Sequence, residues 1–124
     1  MAYRQDWILN QIEALVQFVA KLFFQKDAIC YQIADPAHVS QADSLYIRLS
    51  DLLSEHKIGE AEDLLFEEVD VGSEVYLEIV LDFYVRLNAL DEEELESAGF
   101  SREEIQSGLK DMLKRFRVKI PFAE

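Results

Sequence analysis

Between Trp7 and Phe24 the chain holds thirteen apolar residues and five polar ones, Asn10, Gln11, Glu13, Gln17 and Lys21. Four of these, at 10, 13, 17 and 21, recur at steps of three and four, so they share one narrow stripe of a helix. Trp7, Leu15, Phe18, Leu22, Phe23 and their apolar neighbours occupy the rest of the circumference. A helix that is apolar around most of its surface needs cover from more than one side. Two arrangements provide it: a central place in one core, or a seam shared by two subunits. Asp6 is the natural N-cap, and the helix is expected to end by Lys26.

The remaining sequence reads as shorter helices. Asp27 to Val39 is a connector, because Pro36 keeps Asp35 out of helical geometry, and Ile29, Tyr31 and Ile33 alternate as a half-buried extended piece would. Ser40 caps a helix over about 41–55, with Leu45, Leu49, Leu52 and Leu53 on one face. Ile58, Ala61, Leu64 and Leu65 mark the next, to about Val69. Val75, Ile79, Phe83 and Leu87 mark a fourth, to about Leu90. Asp91 with Glu94 resembles a capping box for one short turn, with Gly99 as its stop. Ser101-Arg-Glu-Glu104 is the clearest capping box and opens a helix over 101–116. The predicted class is all-α: about five helices in one domain over 1–124, with hairpins over 40–90 packed on the N-terminal helix. Beyond Phe116, Val118, Ile120 and Phe122 alternate with Arg117, Lys119 and Pro121, which predicts an extended tail over 117–124 able to pair with Ile29–Ile33.

The segment from Ala42 to Ser73 resembles one tetratricopeptide-type hairpin. Leu45, Leu52, Ile58, Ala61 and Leu65 fall at its spacings, and "HKIGEAEDLL" stands where that family has its tight turn and second helix. Leu49, His56, Glu68 and Ser73 depart from the pattern. Only a loose second copy follows, around Ile79 and Phe83, so the resemblance implies a single hairpin of that style, not a stacked array. Over most of its length the chain also resembles an uncharacterised family of small bacterial helical proteins, a domain of unknown function. "DWILNQIEALVQFVAKLFFQKD", "ADSLYIRLSDLLSEHKIGEAEDLLFEEVD" and "DFYVRLNALDEEELESAGFSREEI" carry that resemblance, which implies a helical fold and no particular activity.

Charge narrows the function classes. The net charge is −13, from 25 acidic and 12 basic residues. Residues 1–100 hold 6 basic and 21 acidic groups, and residues 101–124 hold 6 and 4, so a tail of +2 follows a body of −15. An acidic body repels phosphate backbones and anionic lipid, so neither nucleic acid nor a membrane is the expected partner. The tail is expected to lie on its own acidic body or a neighbour's. One cysteine and no apolar leader suggest a reducing cytoplasm.

No catalytic motif and no cofactor site is evident. His38, His56 and Cys30 are the only soft metal ligands, and Asp35 with His38 lies in the connector, where no helix fixes both. The carboxylates from Glu60 to Asp70 and from Asp91 to Glu94 read as solvated charge. Tyr46, Phe66, Tyr76, Phe83 and Tyr84 are candidates to line a peptide groove between hairpins. The leading expectation is a non-enzymatic interaction or scaffold protein, homodimeric through Trp7, Leu15, Phe18, Leu22 and Phe23. The alternatives are a small metal-dependent hydrolase using the acidic cluster, and a nucleic-acid-associated regulator using the basic tail.

Overall fold

The computed structural model describes residues 2–120, with side chains from Trp7 onward. Six helices follow one another: α1 (Ala2–Phe24), α2 (Gln41–Ser54), α3 (Ile58–Glu68), α4 (Glu74–Asn88), α5 (Glu92–Ser97) and α6 (Arg102–Arg115). Among the described residues there is no strand. The sixth helix beyond the expected five is α5, the short turn read at Asp91. Asp6 lies inside α1, because nothing between Ala2 and Asp6 breaks a helix.

The caps explain most boundaries. At Ser40, Asp91 and Ser101 the side chain accepts a hydrogen bond from the backbone N–H three residues on, and the acidic residue there accepts one from the cap's own N–H. Each pair satisfies donors that a helix start leaves open. Helix ends are handled by left-handed residues: His56, Gly99 and Arg117 have φ of 62°, 72° and 62°. After α2, the Lys57 N–H reaches the Leu52 carbonyl (2.9 Å) and the His56 N–H that of Leu53 (3.0 Å), which closes the helix and turns the chain. His56 thus occupies a position usually given to glycine.

α4 is enclosed on all sides over its middle, while Val75 and Val85 reach solvent. Ile79, Val80, Leu81, Asp82, Phe83 and Tyr84 are consecutive and all buried, which a helix achieves only when neighbours surround it. α1 and α6 pack on it and on each other, and α2 packs on a further side. α1 runs antiparallel to α4: the Asn88 amide donates to the Leu9 carbonyl (3.1 Å), while Lys26 meets Glu78 (3.4 Å) at the other end. Of the two arrangements expected for α1, a central place in one core is therefore corrected: α4 holds that place. Asp82 and Asn88 made α4 look less apolar, yet tertiary contacts engage them: the Tyr31 N–H donates to one Asp82 oxygen (2.8 Å) while the other, buried without a hydrogen bond, lies 3.5 Å from Arg86, and Arg102 donates to the Asn88 side chain (3.1 Å).

The connector behaves as its alternation predicts, with Ile29 and Tyr31 buried and Cys30 exposed. The Tyr31 hydroxyl donates to Asp43 (2.5 Å) and its ring leans on Tyr46, centroids 4.9 Å apart. The tail does not pair with it among the described residues. Val118 is instead buried in the common core and Ile120 is half-buried, so this part of the tail lies on its own chain. Pro121 and Phe122 lie outside the described residues.

Candidate interaction surface

α1 buries one face and leaves another open. Ile8, Ile12, Leu15, Val16, Val19 and Ala20 point into the core, and Leu15 is 1% exposed. Trp7 is 61% exposed, Leu22 57% and Phe23 36%. Of the five residues expected at an interface, Leu15 is thus inside the protein's own core and offers nothing to a partner. Phe18 is half-buried and packs against the core. Trp7, Ala14, Phe18 and Leu22 share one side of α1, between the buried face and the polar stripe of Asn10, Glu13, Gln17 and Lys21. Phe23 lies on the core-facing side but near the helix end, where less of the body covers it. Within this side, Gln106 of α6 donates to Gln11 (2.5 Å) and holds it against the bundle. By length and composition alone, Trp7–Phe24 also has the make-up of a membrane-spanning helix, with a third of that stretch buried.

A second concave surface lies between α2 and α3, about 530 Å³ in volume, lined by Arg48, Asp51, Leu52, Glu60, Asp63, Leu64 and Glu67. Arg48 grips Glu68 with two hydrogen bonds (2.8 and 3.0 Å), and this pairing holds the Glu68 carboxyl below its ordinary pKa. Glu60, Asp63 and Glu67 stand open to solvent. Among the described residues no three His, Cys, Asp or Glu side chains converge as a metal ion requires. His38 and Asp35 do meet (2.8 Å), as an exposed pair on the connector.

The aromatic set is not a groove. Phe83 and Tyr84 are fully buried, edge to face, so they are core. Tyr46 lies under the Arg86 guanidinium (5.4 Å), and Phe66 under that of Arg115 (4.7 Å). The latter contact ties the tail region to α3. Arg102, counted among the tail's cations, is buried. Two of the six basic residues there are thereby engaged in the fold.

No local pattern singles out Glu62. It belongs to the acidic run, yet it turns inward and accepts a hydrogen bond from the buried Tyr84 hydroxyl (2.7 Å). The space it enters exists because Gly108 of α6 has no side chain. Burial raises the Glu62 pKa; the Tyr84 hydrogen bond opposes this, and Asp63, Glu104 and Asp111 add repulsion. A carboxyl with a folded-state pKa above its ordinary 4.5 binds its proton more tightly folded than unfolded. Stability from this group is therefore fully present below pH 4.5 and is lost as pH rises through the raised value. Asp82, also raised chiefly by burial, acts in the same direction. Glu62→Gln keeps an acceptor for Tyr84 without the charge. Its melting temperature should exceed that of the wild type at pH 7 and converge with it near pH 4.5. Parallel melting curves across that range would show that Glu62 is not the group responsible.

No curated protein matches this chain, and no solved structure does. The family comparison matches residues 2–117, nearly the whole chain, to DUF6483. A helical fold organised around α4, with an apolar helix half-covered beside it, is what this sequence encodes, and the chain belongs to DUF6483, a family of unknown function.

Proposed function

We propose that this protein is a non-enzymatic interaction protein that docks through the open face of α1. The observation that carries this reading is the exposure of Trp7 and Leu22 on one side of a helix whose other side is anchored in the core. Large apolar side chains aligned along a fixed helix are a surface for association, whereas isolated ones are ordinary. Trp is also among the residues that dominate binding energy when desolvated. The helical hairpin of α2 and α3, with its tetratricopeptide-like spacing, suits a scaffold role. The exposed free thiol of Cys30 suits a reducing cytoplasm.

The test is capture from the native cell with wild-type protein and with Leu22→Glu as bait, read by mass spectrometry. Leu22 is exposed, so the substitution leaves folding intact. Proteins retained by the wild type and lost with Leu22→Glu are the expected result. Identical sets from the two baits would dispose of α1 as the docking face.

A further inference from the structure

The docking face has a spacing and a charge that select its occupant, and the inference drawn from them rests on the reading above. Trp7, Ala14, Phe18 and Leu22 advance by seven, four and four residues, close to the interval of a two-helix seam, and Gln11 between them is held by Gln106 of α6. From Trp7 to Leu22 the seam runs about 22 Å along the axis. Ala14, near its middle, is exposed and small, so a second helix can come close to the backbone there.

Charge separates the candidate occupants. The chain carries −13, but Trp7–Phe24 contains one acid, Glu13, and one base, Lys21, which offset each other. Lys21 is further held by Asp27 at 2.7 Å. A basic partner would be drawn to the carboxylates of α3 and α5, and an acidic partner finds no free cationic row from Trp7 to Phe24, where Lys21 is the one base and Asp27 holds it. Two copies of this acidic protein repel wherever carboxylates face each other, and Glu13, the one acid from Trp7 to Phe24, stands on the polar stripe away from Trp7 and Leu22. The face is also self-complementary in size, with Trp7 at one end, Leu22 at the other and Ala14 between.

We propose that the occupant is a second copy of this chain, docked antiparallel along α1 about a twofold axis near Ala14. In that register Trp7 packs on the partner's Leu22, and each contact occurs twice, as in an isologous dimer. Burying the indole and the leucine removes the largest exposed apolar groups of α1 from water.

The test uses the purified full chain. Light scattering from 5 to 100 µM should give twice the 14.4 kDa chain mass, and Leu22→Glu should give a monomer with an unchanged circular dichroism spectrum. Because the substitution enters the interface twice, the dissociation constant should rise at least tenfold. In a Cys30→Ser background, which removes the exposed native thiol, Ala14→Cys should form a disulfide-linked dimer on mild oxidation. Only an axis near this residue brings two such thiols within bonding reach. Ser44→Cys, exposed on α2, should stay monomeric on a reducing-free gel.

A concentration-independent wild-type monomer overturns the proposal. So does a dimer that Leu22→Glu leaves intact, or one that Ala14→Cys cannot trap. A monomer that co-sediments with phosphatidylcholine vesicles overturns it in favour of a bilayer surface. A purified monomer whose wild-type form captures a different protein from cells, lost with Leu22→Glu, overturns the second copy but not the docking face. A purified monomer with no such capture overturns both.

Discussion

Replacing Arg102 by methionine should lower folding stability by about 2–5 kcal/mol, because it leaves several buried hydrogen-bond acceptors without a donor. Arg102 is 3% exposed at the first turn of α6. One guanidinium nitrogen donates to the Asn88 carbonyl (2.8 Å) and the Asn88 side chain (3.1 Å), and the other donates to the Leu90 carbonyl (2.9 Å). These carbonyls lie where α4 ends, so Arg102 supplies donors that the helix itself cannot. Methionine matches the length and apolar stem but leaves the acceptors buried and unpaired, each costing about 1–3 kcal/mol. The ion pair to Glu92 (3.2 Å) matters little by comparison, because Glu92 is more than half exposed. Glu92→Gln should therefore change stability by less than about 1 kcal/mol. Urea unfolding at fixed protein concentration measures both, and equal effects from the two variants would refute the capping role.

The second large effect concerns Gly108. In most exposed helix interiors Gly→Ala stabilises by up to about 1 kcal/mol. Here the added Cβ would run into the Glu62 carboxylate and lie 2.8 Å from the Tyr84 hydroxyl oxygen. Glu62 can swing away, but Tyr84 is fully buried and would lose its hydrogen-bond acceptor. Gly108→Ala should thus destabilise by about 1–3 kcal/mol, the range for overpacking. The sign should reverse when Glu62→Ala and Tyr84→Phe are already present, since the space is then vacated and the propensity gain remains. Equilibrium unfolding of the wild type and these three variants checks this. A stabilised Gly108→Ala in the wild-type background would show that the α3–α4–α6 junction is looser than its distances imply.

Both predictions arise at positions that local patterns could not expose. Arg102 sits inside the capping box Ser101-Arg-Glu-Glu104, which marks a helix start correctly but does not say which way its second residue points. Gly108 interrupts a helical pattern without a local reason, and Glu62 is one carboxylate in a run of similar ones. Each becomes meaningful only through partners distant in the chain: Asn88 for Arg102, and Tyr84 and Glu62 for Gly108. The open face of α1 follows the same rule. Its apolar content was legible, and the periodicity set the polar stripe apart from an apolar remainder that held Trp7, Leu15, Phe18, Leu22 and Phe23 alike. Which side the body covers depends on where α4 and α6 lie, and that moved Leu15 from candidate interface to core.

Helix existence, type and most boundaries came from the sequence alone, because they rest on short-range physics: the 3.6-residue apolar repeat, side chains that cap a start within three residues, and a proline that bars helix before it. The enclosed helix, by contrast, was settled by tertiary packing. Local hydrophobicity favoured α1, with one acid and one base in eighteen residues, over α4, which carries Glu78, Asp82, Arg86 and Asn88. A polar group enters a core at lower cost when a partner engages it, and Tyr31 on Asp82 and Leu9 on Asn88 are 51 and 79 residues away in the chain. Hydropathy counts the cost of burying such groups but not the hydrogen bonds that offset it, so only the folded arrangement could show α4 at the centre and α1 with a face to spare.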